Sequence, residues 1–142
     1  MKLALLVLAT GCALEPKVGA PTHEACTNTD TDPDHAVSFA QDIVPILDEY
    51  RCADCHTPAG KTPIGLIVGG LDLTSYATLR AGGVRSMAKI VVAGDACSSV
   101  LLQKVEAGPP YGSRMPLSGP EYLDDEDLEL ISDWIVEGSH DN

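Results

Sequence analysis

Apolar residues return at helical spacing in several stretches of this chain, and turn-forming residues separate them. Phe39, Ile43, Ile46, Leu47 and Tyr50 fall on one helical face, behind a Ser38–Gln41 pair spaced as a capping box. Pro45 interrupts that pattern, so the spacing predicts either a kink or a start near Asp42 with proline in the first turn. A short helix over about Ser75 to Arg80 is stopped by Gly82-Gly83. Lys89 to Ala93 is a β-branched run, extended or buried, that ends at Gly94. Asp95 is a candidate N-cap for a helix from Ala96 to Glu106 with Val100, Leu101 and Val105 on its apolar face. The last helix runs from Asp124 to Gly138. Its first turn holds Asp125, Glu126 and Asp127, which suit the helix dipole, and Leu128, Ile131 and Ile135 line one face, widened by Leu130 and Trp134. Pro58–Leu71 and Gly108–Pro120 are rich in glycine and proline and read as loops. The expectation is an all-α fold of about four short helices joined by long Gly/Pro loops.

The start of the chain follows a different pattern. Lys2 precedes a short apolar run, Leu3 to Thr10, and Ala9-Thr10-Gly11-Cys12 resembles the box at which bacterial lipoproteins are cleaved and lipidated. Residues 1–11 are therefore expected to be a lipoprotein signal peptide and Cys12 the lipidated residue; an ordinary secretory peptide with an incidental cysteine is the alternative. The apolar run is too short to span a bilayer as a helix, so the expected membrane contact is through the lipid alone. Residues 12–36 carry Pro, Thr and Asp without periodicity and read as a flexible tether, leaving 37–142 as one domain. This arrangement places the protein on the periplasmic face of a bacterial membrane, the outer membrane first, or at the cell surface.

Composition sharpens the picture. The chain has 142 residues, 44% of them hydrophobic, but only one Phe, one Trp and four Tyr. A small core so short of large side chains needs apolar mass from elsewhere.

The chemistry sits in Cys52-Ala53-Asp54-Cys55-His56, a C-x-x-C-H. Two thiols at this spacing can add across the two vinyl groups of one porphyrin, and the next residue then places an imidazole under the iron, which is the attachment pattern of haem c. Met115, followed by Pro116 in a rigid loop, is the candidate for the opposite iron face. Met87 competes with it, and His23, His35 and His140 would make a bis-His site. Five cysteines less Cys12, Cys52 and Cys55 leave Cys26 and Cys97, an even remainder in an exported chain and hence an expected disulfide. Two free thiols are the alternative.

The ordered set Ser38-Phe39, Asp42-Ile43, Pro45-Ile46-Leu47, Cys52 to His56, Gly69-Gly70-Leu71-Asp72-Leu73, Gly82-Gly83, Gly94-Asp95, Ser99, Met115-Pro116, Leu123-Asp124-Asp125-Glu126, Trp134-Ile135 and Gly138 resembles the planctomycete-type cytochrome c domain. The resemblance covers about Val37 to Ser139. It implies a small class I-like cytochrome c fold wrapped around one covalent haem c, with its first and last helices crossing beside the haem. His56 would be proximal and Met115 distal, and Phe39 and Trp134 would be packing residues. The family pattern has no fixed place for Cys26 and Cys97.

Iron that keeps both strong-field ligands has no open position for substrate, so the expected function is single-electron transfer between redox proteins, not enzymatic catalysis. The formal charge is −12, and after Arg114 every charged side chain is acidic: Glu121, Asp124, Asp125, Glu126, Asp127, Glu129, Asp133, Glu137 and Asp141. Such a face repels nucleic acid and anionic lipid; it is either a solvated surface or a docking face for a basic redox partner. Arg51, Lys61, Arg80, Arg85, Lys89 and Arg114 are the candidates to meet the haem propionates. Two other classes compete. A peroxidase-like haem enzyme or ligand sensor needs a labile distal ligand. A structural zinc module would take Cys52 and Cys55 with two of Cys26, Cys97 and His56. A thioredoxin-like site is disfavoured, because a helix and not a strand precedes the cysteines.

Overall fold

The computed structural model describes residues 26–117 and 121–142. The signal peptide, Cys12 and His23 lie outside the described residues. Among the described residues there are helices and turns but no strand, so the described part of the chain is all-α. Six α-helical segments are present, against the four expected: α1 (Val44–Glu49), α2 (Ala53–His56), α3 (Ile64–Gly69), α4 (Tyr76–Ala81), α5 (Val100–Val105) and α6 (Asp125–Val136).

Pro45 shapes the entry to α1. The chain first makes a wide π-type turn, Phe39–Ile43, in which Ile43 N–H donates to Ser38 O and Val44 N–H to Phe39 O, each five residues back. Pro45 has no N–H to give, and the widened turn brings it into the first turn of α1, where none is needed. Ser38 Oγ accepts from Gln41 N–H as the cap.

α6 supplies the centre of the core. Trp134 and Ile135 are fully buried and Ile131 nearly so, packed with Ile43, Ile46, Phe39 and Leu79. Phe39 meets Tyr76 edge-on at 5.2 Å between centroids and Trp134 at 5.4 Å. The two aromatic groups with polar atoms are satisfied by the chain after α6: Trp134 Nε1–H donates to His140 O at 3.0 Å and Tyr76 O–H to Ser139 O at 2.7 Å. Phe39 and Trp134 are packing residues, as expected.

Three expectations change. The stretch 58–71, read as loop, holds α3, which ends where Gly70 takes the left-handed conformation at φ 68°. The helix expected from Ala96 begins only at Val100. Asp95 Oδ1 accepts from Ser98 N–H, and Ser99 O–H donates to Asp95 O, which holds residues 95–99 as turns. Packing also reaches back beyond the boundary drawn at Val37. Cys26 and Cys97 form the expected disulfide, with Cα atoms 5.8 Å apart. Thr31 then donates from N–H and O–H to the two oxygens of Asp133, which is only 4% exposed. Val37 N–H donates to Glu137 Oε2 at 2.8 Å.

Candidate functional site

The C-x-x-C-H occupies one helical turn. After α1, Arg51 takes a left-handed φ of 54° and Cys52 N–H returns to Leu47 O at 2.9 Å, which turns the chain sharply into α2. Cys55 and His56 both donate backbone N–H to Cys52 O. Residues three and four apart on a helix share a face, so Cys52, Cys55 and His56 stand together. The free carbonyls at the end of this short helix are covered: Ala53 O accepts Thr57 O–H, Asp54 O accepts Thr62 N–H, and His56 O accepts Leu73 N–H. Gly60 packs so close to the first two carbonyls that a Cβ there would stand 2.4 Å from Asp54 O.

Cys52 and Cys55 are free thiols, half-buried, in a chain whose other two described cysteines are bridged. Burial pushes the Cys52 thiol up to about 11, so it is protonated at neutral pH. His56 Nδ1 lies 3.2 Å from Leu71 O. A carbonyl can only accept, so Nδ1 carries the proton and Nε2 keeps a lone pair for a metal. Burial lowers the His56 pKa; the bond to Leu71 opposes this, and the charge of Lys104 lowers it further.

Met115 sits half-buried at the fringe of the core. Its N–H donates to Lys104 O at 2.7 Å. Lys104 is thus bonded to the Met115 backbone while its charge is felt at His56. Of the competing ligands, Met87 is 67% exposed, His35 faces Asp42 with Nε2 3.7 Å from Oδ2, and His140 lies against Gly138. Cys26 and Cys97 are committed to each other, which takes the second ligand pair from the zinc reading. Among the described residues no group of three or more His, Cys, Asp or Glu is arranged to hold a metal ion.

The basic candidates separate. Arg51 pairs with Asp54, and Lys61 Nζ is 3.7 Å from the same carboxylate. Arg85 lies over the Tyr111 ring, Arg114 over that of Tyr122, and Lys89 is exposed. Arg80 has Nη1 buried without a partner. The acidic run is partly structural: Asp124 caps α6, Asp127 accepts from Tyr50, Asp133 from Thr31 and Glu137 from Val37. Sequence reading passed over Lys104, Gly65 and the Leu71 carbonyl. The only sequence signals for them are a lysine in the last turn of an apolar helix and a lone glycine between Ile64 and Leu66.

No family of known proteins, no curated relative and no solved structure matches the chain. Among the described residues no helix is long and apolar enough to cross a membrane.

Proposed function

We propose that this chain is an exported, mono-haem c-type cytochrome of the planctomycete type, tethered through Cys12, that carries single electrons between redox proteins and is not an enzyme. Cys52 and Cys55 would hold the haem by thioethers, with His56 Nε2 and the Met115 thioether as axial ligands. When bound, the haem supplies reversible one-electron chemistry, at a potential that His/Met ligation and an apolar surround raise.

The observation that carries the reading is the His56 Nδ1–H to Leu71 O bond directly beside two free thiols. It fixes the tautomer and ring direction that an axial imidazole requires. Two further features support it. Ile67, Val68, Val84 and Met87 are each at least 67% exposed, large apolar side chains that nothing among the described residues covers. The unpartnered Arg80 Nη1 has a donor to offer a propionate.

A visible spectrum of the protein, exported in a host that attaches haem c, tests the reading. Sharp reduced bands that survive denaturation, with a weak far-red band on oxidation, are expected. Haem without the far-red band would move the reading to an open or bis-His site. No haem at all would end it. Mass spectrometry of the membrane fraction tests the anchor, which an unacylated Cys12 would remove.

A further inference from the structure

The last turn of α5 is built to bind the loop that carries Met115. A helix leaves its final carbonyls without partners, and here the loop satisfies two of them: Lys104 O accepts Met115 N–H at 2.7 Å, and Val105 O accepts Arg114 Nε–H at 2.8 Å. The Lys104 side chain doubles the attachment. Its Nζ donates to Tyr111 O at 2.9 Å and to Ser113 O, and stands 5.2 Å from the centroid of the Tyr111 ring. One residue therefore grips the loop at positions 111, 113 and 115.

The chemistry of that grip is specific. The Lys104 ammonium is partly buried, and among the described residues it has no carboxylate partner; the charge that acts on it is the like charge of Arg85. A desolvated cation without a counter-ion is costly unless other acceptors surround it. Here the acceptors are two loop carbonyls and a ring face, so the loop is drawn into one shape around the ammonium. A leucine would fill the same space on the helix without ordering the loop.

We infer that Lys104 is the positioning residue for Met115: its ammonium and its carbonyl together clamp the 111–115 loop so that the thioether is held in one place. This rests on the proposed His/Met reading of the site.

The test uses holoprotein produced with haem c attachment, comparing wild type with Lys104→Met and Lys104→Arg. Lys104→Met keeps an apolar stem and removes the donors. The expected result is loss of most of the far-red band and a lowered reduction potential, with covalent haem content and far-UV circular dichroism unchanged. Lys104→Arg, which retains donors, should keep the band. If Lys104→Met does not fold, Lys104→Leu, which also lacks a donor, is read in the same way. A Lys104→Met protein with the band at full strength and an unchanged potential would overturn the clamp and leave the His/Met reading standing. A wild type that binds haem without the far-red band, or binds none, would overturn both.

Discussion

Gly65 lies on the face of the His56 imidazole. A Cβ at Gly65 would stand 2.5 Å from Cε1, 2.6 Å from Nε2 and 2.8 Å from Nδ1. Near-equal distances to three ring atoms put that point above the ring and off the in-plane line of the Nε2 lone pair. The backbone of α3 thus covers one side of the imidazole and does not itself lie across its coordinating direction.

Gly65→Ala should therefore be destabilising although it favours the helix. Alanine gains about 1 kcal/mol of helix propensity over glycine. Against this, overpacking costs about 1–3 kcal/mol, and the ring cannot swing away without losing its bond to Leu71. With a contact as short as 2.5 Å the cost falls toward its upper end, and a net loss of up to about 2 kcal/mol is expected in urea unfolding. Unchanged or increased stability would show that His56 is free to move.

The attachment of the leading segment to α6 makes a second prediction. Thr31→Val removes the hydroxyl that donates to Asp133 Oδ2 at 2.6 Å and leaves a buried carboxylate oxygen short of a donor. The expected cost is about 1–3 kcal/mol. Thr31→Ser should recover most of it, and a hydroxyl of no consequence would leave all three proteins equal in thermal unfolding.

The Cys26–Cys97 bridge spans 71 residues of sequence. In the chain-entropy model a loop of this size contributes about 4 kcal/mol. Replacing both cysteines with serine should lower the unfolding midpoint accordingly. In the haem-free, denatured, unreduced chain, thiol titration should find Cys52 and Cys55, with Cys12 added only where it carries no lipid.

Tyr50 gives the pH dependence. Its hydroxyl donates to Asp127 Oδ2 at 2.8 Å, and that bond, with some burial, raises its pKa above the ordinary value of 10.0. The folded state therefore keeps this proton longer than the unfolded chain. The contribution to stability is complete below pH 10, and is lost as pH rises through the higher folded value. Tyr50→Phe should cost about 1 kcal/mol at neutral pH, and the gap between the two proteins should close in strongly alkaline urea titrations. A gap that widens there would reverse the assignment.

Where a single residue type dictated the backbone, the sequence was readable. Asp124 could cap α6, Gly82 could stop α4, and the two cysteines left over pointed to a pair. Helix α3 was not readable: an apolar run of six residues with two glycines reads as loop by composition, and the packing of Gly65 on the His56 ring nine residues earlier shows only in the fold. The late start of α5 was hidden for a related reason. Asp95 does accept a backbone bond as a cap would, but Ser99 bonds back to Asp95 and Val92 and keeps the intervening residues in turns. Of the site, the thiols and His56 were legible because their spacing is itself the chemistry. Lys104 was not, because a lysine in a helix's last turn is ordinary until the loop it holds is seen.

The Cys26–Cys97 bond also settles how this domain takes a mechanical load. Tension arriving along the chain from upstream reaches Cys26 and passes across a covalent joint to Cys97, just ahead of α5. Residues 27–36, held by Asn28 to Asp95 and Cys97, by Thr31 to Asp133 and by His35 to Asp42, run in parallel with that joint, so a pull cannot peel them away one contact at a time. With the lipid proposed at Cys12 in place, the strain would fall on one sulfur–sulfur rivet while the helices behind it stay at rest.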